Sequence, residues 1–78
     1  MPRYFFDIQD GSPLLRDEDG LDLAGPEQAR REVMATLPEM ARDLVPDGDV
    51  QTLVATIRTE DGETVFRASL TLKCEWLG

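Results

Sequence analysis

Two runs of alternating apolar residues, Gln51 to Arg58 and Thr64 to Trp76, stand on either side of Asp61-Gly62 in the last third of the chain. Alternation with a period of two marks a half-buried strand, and Asp-Gly between two such runs suits a type I′ hairpin turn. A two-residue loop there opposes Leu53 to Leu70, Ala55 to Ala68 and Ile57 to Phe66. A slip of one residue would carry a whole apolar row to the wrong face, so turn chemistry and apolar pattern select the same register. Any fold built on this hairpin must cover its apolar side.

Upstream, Arg3 to Gln9 reads as a strand with Tyr4, Phe6 and Ile8 on one face and Phe5, Asp7 and Gln9 on the other. Asp10-Gly11-Ser12 follows as a turn, and Leu14 to Asp17 returns as a short, acidic strand of the kind that blunts a sheet edge. Two registers are open for this first hairpin. A two-residue loop pairs Phe6 with Leu15, and a three-residue loop pairs Ile8 with Leu14. Asp17-Glu18-Asp19-Gly20 is a second turn, and Leu21 to Gly25 an irregular connection.

The cover is a helix. Pro26 fits a first helical position and Glu27 complements the helix dipole. At 100° per residue Ala29, Val33, Met34, Leu37, Met40, Ala41, Leu44 and Val45 form one apolar arc opposite Arg31, Glu32, Glu39 and Arg42. The helix ends before Pro46-Asp47-Gly48. Pro38 removes the hydrogen bond to the Met34 carbonyl, and a kink or break is expected there.

These elements imply a single domain over 1–78, an α+β two-layer sandwich of ββαββ order: an antiparallel four-stranded sheet with one amphipathic helix on one face. Inward positions are Tyr4, Phe6, Ile8, Leu53, Ala55, Ile57, Phe66, Ala68, Leu70, Leu72, Cys74 and Trp76. Placing the strands in the order second, first, fourth, third would centre the two most apolar ones.

Sixteen acidic and eight basic side chains leave a net charge of −8. That field opposes nucleic acid and anionic membranes as partners. With no histidine in the chain, Ser-His and Cys-His nucleophile pairs and imidazole metal sites are excluded. The single cysteine, Cys74, has no internal partner and reads as a small core residue. With neither a signal peptide nor an apolar run of membrane length, the expected address is cytoplasmic. Glycine-rich phosphate loops, nucleophile elbows and zinc spacings are absent, and no cofactor is implied. Clustered carboxylates at Asp17 to Asp22 invite a calcium reading. Aligning Gly20 with the EF-hand glycine, however, puts Leu15 and Pro26 where acidic ligands are required.

The uncovered outer sheet face is the candidate site. Arg3, Phe5, Val54, Arg58, Val65, Arg67 and Lys73 share its parity, with only Asp7 and Glu75 as acids, so the face is locally cationic on an acidic protein. Such a face can simply meet water. The functional reading is a non-enzymatic protein-interaction module, whose partner is a second copy of the chain or another protein. Asp7 is expected to neutralise a neighbour such as Arg67. A divalent-metal activity built on Asp7, Asp10, Asp17 and Asp19, and mimicry of nucleic acid toward a basic protein, are the alternatives.

The opening Met1-Pro2-Arg3-Tyr4-Phe5-Phe6-Asp7-Ile8, with Asp10-Gly11, Asp17-Glu18-Asp19-Gly20, Met40-Ala41-Arg42-Asp43, Pro46-Asp47-Gly48 and Asp61-Gly62, resembles a family of short alphaproteobacterial domains of unknown function. The resemblance spans nearly the whole chain and implies a bacterial, cytoplasmic protein. It carries no activity, cofactor or site residue.

Overall fold

A computed structural model describes residues 1–10, 14–42 and 50–78. In chain order the elements are β1 (Arg3–Asp10), β2 (Leu14–Leu15), β3 (Leu21–Asp22), α1 (Pro26–Arg42), β4 (Val50–Thr59) and β5 (Thr64–Lys73). The architecture is the expected α+β layering of one helix on an antiparallel sheet, but the sheet has five strands. The extra one is β3, within the segment read as an irregular connection. It pairs Asp22 with Arg3 and Leu21 with Tyr4 on the β1 edge that β2 also uses.

The strand order is β2-β1-β4-β5, which differs from the order that centres the two most apolar strands. β1 lies against β4, with Phe6 opposite Ile57 and Ile8 opposite Ala55. Central β4 therefore holds the driest positions of the sheet, Leu53, Ala55 and Ile57, at 2%, 0% and 1% exposure, while β5 is left at an edge. Ala29, Val33 and Leu37 of α1 are buried over β4, joined by Tyr4 and Leu23. Leu23 is tied down by its N–H donating to the Pro2 carbonyl at 3.0 Å.

One helix does not cover five strands. Met34 is 51% exposed, and Leu70, Leu72 and Trp76 are 39%, 49% and 100% exposed despite their inward parity. Cys74 is exposed as well, not a core residue, because β5 ends at Lys73. The Cα radius of gyration is 14.2 Å, against about 11.5 Å for a compact domain of this length.

α1 runs unbroken through Pro38. Leu37 is buried and Ala41 half-buried, so packing on both sides of the proline holds the segment helical despite the lost bond. The Gln28 side-chain oxygen accepts the Ala24 N–H at 2.8 Å and so satisfies a donor just ahead of the helix. Leu44, Val45 and the Pro46-Asp47-Gly48 stop lie outside the described residues.

In the first hairpin Ile8 faces Leu15 and Gln9 faces Leu14, so neither expected register occurs. Part of that loop, Gly11 to Pro13, lies outside the described residues. In the closing hairpin the predicted pairs Leu53–Leu70, Ala55–Ala68 and Ile57–Phe66 are all present, but the turn is not type I′. Within this turn Gly62 alone has positive φ, +88°, and its N–H donates to the Thr59 carbonyl at 2.9 Å. This is a type I turn with glycine in the left-handed position, closing a three-residue loop.

Such a loop pairs Arg58 with Thr64. Continued regularly, it would oppose Ala55 to Arg67 and draw that cation to the apolar face. A register shift between Ile57 and Arg58 restores the apolar pairing by leaving Val65 as an extra residue. Burial, not the turn, decides the register. Deleting Val65 should therefore leave a regular ladder with every downstream pair intact, and thermal unfolding should show a change within about 1 kcal/mol. A cost of several kcal/mol would show that the bulge is itself required.

Candidate functional site

On the outer face, the end of β1 next to the Asp17–Gly20 turn is a closed cluster of charges. Asp7 is 8% exposed, and its two oxygens accept from Arg58 Nε at 2.9 Å and Nη2 at 3.3 Å. Arg58 also donates to the Asp17 carbonyl at 2.9 Å and stacks its guanidinium 4.7 Å from the Phe5 ring centroid. The expected partner of Asp7 was Arg67. Because β1 pairs with β4 and not β5, Arg67 sits one strand farther away, opposite Thr56.

Asp17 fastens the turn over this pair. One carboxylate oxygen accepts the Phe6 N–H at 3.0 Å, substituting for a strand partner in the gap between β2 and β3. The other accepts the N–H groups of Asp19 and Gly20, each at 3.1 Å, and the Asp17 N–H donates to Asp7 Oδ1 at 2.9 Å. Gly20 has φ +73°, and a Cβ there would lie 2.7 Å from Arg3 Cγ and 2.9 Å from Phe5 Cε1. Only glycine lets the turn lie this close to the sheet.

The electrostatics follow from these contacts. The Arg58 guanidinium holds the Asp7 carboxyl below its ordinary value, against the upward push of burial. Burial pushes Asp17 up, but N–H groups of Phe6, Gly20 and Asp19 outweigh it and leave the carboxyl lowered. At the exposed rim Arg3 pairs with Asp22 at 3.0 Å and donates to the Asp19 carbonyl at 3.2 Å. A hydrogen bond from Arg3 holds Asp22 below its ordinary value.

The seven candidate residues thus divide. Arg3, Phe5 and Arg58 are engaged by the Asp17–Gly20 turn and by Asp7. Val54, Val65, Arg67 and Lys73 remain on the β4–β5 half, where Arg67 and Lys73 form no ion pair among the described residues. The apolar members do not form one patch. Arg58 faces Phe5 across the β1–β4 pair, and Thr56 intervenes before Val54.

Of the carboxylates read as metal ligands, Asp7 and Asp17 converge through the turn, whereas Asp10 lies farther along β1 and accepts from the Gln51 side chain. No three His, Cys, Asp or Glu side chains come together among the described residues. Nor is any helix there long and apolar enough to cross a membrane.

What the residue pattern did not reveal is the β5 edge. Two depressions flank Leu70 on the helix side. One, of about 180 Å³, is lined by Ala41, Gln51, Leu70, Thr71 and Leu72. The other, of about 250 Å³, is lined by Met34, Leu37, Pro38, Ala68, Ser69 and Leu70. Alternation identifies a face but not which strand is at the rim, so Leu70 and Leu72 looked like core. Asp17 was legible in principle, since an Asp two and three residues before Asp19 and Gly20 is an Asx-turn signature.

Neither a curated protein nor a solved structure matches the chain. The sequence model of a family described as a domain of unknown function (DUF6894) matches residues 3–71, nearly the whole of the fold described above. The chain belongs to that family.

Proposed function

We propose that the domain is a non-enzymatic protein-interaction module that works through the β4–β5 half of its sheet. The observation that carries this reading is the unequal treatment of the two sheet edges. On β1, two dipeptide strands and the Asp17 carboxylate occupy the edge, and the neighbouring charges satisfy one another. On the other side β5 is ten residues long, has no strand beyond it among the described residues, and exposes Val65, Leu70 and Leu72. Natural sheets shield such edges unless a partner covers them. Arg67 and Lys73, which form no ion pair among the described residues, would complement acidic groups on that partner.

A photo-crosslinking amino acid at Val54 or Leu72, compared with one at exposed Glu39 on the far side of α1, tests this in cells. Discrete adducts are expected at one or both sheet positions and not at Glu39. Equal labelling at all three positions, or none at any, would sink the proposal.

A further inference from the structure

We infer that the covering partner is a second copy of this chain, joined edge to edge through β5 about a two-fold axis at Thr71. The inference rests on the interaction-module reading and names its occupant.

The argument is self-complementarity. In a two-fold antiparallel pair opposed residues share a face, so inward residues of one copy must meet inward residues of the other. Centring the axis on Thr71 sets Leu70 against Leu72 of the partner copy and Phe66 against its Trp76, all on the helix side. On the outer side the same register sets Arg67 against Glu75 of the partner copy. Three exposed apolar residues at this edge then acquire neighbours: Leu70 at 39%, Leu72 at 49% and Trp76 at 100%.

Charge selects this axis over its neighbour. Moving the centre to Leu70 opposes Arg67 to Lys73, a like-charge pair that directly opposed strands avoid. The edge itself is permissive over the right span. The irregularity at Val65 disrupts one end and Lys73 marks the other, while Phe66 to Leu72 carry no proline and only one charge, Arg67. Pairing would also lay residues 74–76, which follow the end of β5 at Lys73, along Phe66 to Ala68 of the other copy. The sheet becomes continuous across both domains, and the depressions beside Leu70 meet across the seam.

Light scattering with size-exclusion chromatography on the full chain at high micromolar concentration is expected to give twice the chain mass. Leu72→Lys, at a half-exposed site that leaves the fold intact by circular dichroism, should give monomer. Arg67→Glu and Glu75→Arg should each weaken the dimer about fivefold, and the double exchange should restore it. With Cys74→Ser as background, Thr71→Cys should link two copies on addition of an oxidant, because residues on the axis are about 5.5 Å apart at Cα. Failure of the double exchange to restore association, or linkage through Ser69→Cys in preference to Thr71→Cys, would overturn the register. A monomeric wild type that still gives the Val54 adduct would overturn the homodimer and leave the interaction module standing. A monomer without any adduct would remove both.

Discussion

Asp7→Ala is expected to cost about 3 kcal/mol of folding stability, a large share of the roughly 4–12 kcal/mol available to a domain of this length. The substitution leaves Arg58 with a single carbonyl acceptor in a site where its side chain is 14% exposed. It also strands the Asp17 N–H, which now donates to Asp7 at 2.9 Å. Deleting one member of a buried pair costs more than the pair contributes, because the remaining group stays out of water without a counterpart. Asp7 and Asp17 are both held below the ordinary carboxylate value of 3.8. A depressed carboxyl contributes stability that is complete above its unfolded value and is lost as pH falls through the lower, folded value. Wild-type stability should therefore decline below about pH 5 and continue falling past pH 3. The Asp7→Ala curve should be flatter and approach it in acid. Urea denaturation at neutral pH and along that acid limb measures both effects. A loss under about 0.5 kcal/mol, or two parallel acid limbs, would reduce the cluster to ordinary surface pairing.

Local rules could read one part of this fold and not another, and the hairpin shows where the division falls. Its register follows from Leu53, Ala55, Ile57, Phe66, Ala68 and Leu70 alone, since only one pairing sets them opposite one another on one face. The type of turn differs from the Asp-Gly expectation because burial fixes the pairing several residues away, and a single extra residue at Val65 absorbs the mismatch with the loop. The helix was legible for the same reason as the strands: its apolar stripe persists across Pro38, and that packing outweighs the missing hydrogen bond. Strand order was not legible. It depends on how β1 chooses between two apolar partners, a long-range competition that leaves no periodic trace. The other differences at the site descend from that choice. With β4 beside β1, Arg58 reaches Asp7 and Arg67 does not, so the face expected to be cationic throughout is neutralised at one end. With β5 at the rim, residues expected inside become the exposed edge.

Ile57→Ala and Leu72→Ala should separate the core of one chain from the seam between two. Ile57 is 1% exposed on the central strand, opposite Phe6 on one side and Phe66 on the other. Truncating it removes three methylene equivalents and leaves a cavity that two flanking strands cannot close, for a loss of about 3 kcal/mol. That loss should be the same at every protein concentration. Leu72 shares the inward parity but is 49% exposed in the single chain, so its truncation in a monomer should cost under about 1 kcal/mol. If β5 pairs with its copy, Leu72 is drier in the dimer than in the monomer, and stability becomes linked to concentration by mass action. The midpoint deficit of Leu72→Ala should then widen as the protein is raised from low to high micromolar, while that of Ile57→Ala stays fixed. Two deficits equally insensitive to concentration would place Leu72 on a plain solvent-facing rim. A small effect at Ile57 would contradict the assignment of β4 as the strand on which the fold depends.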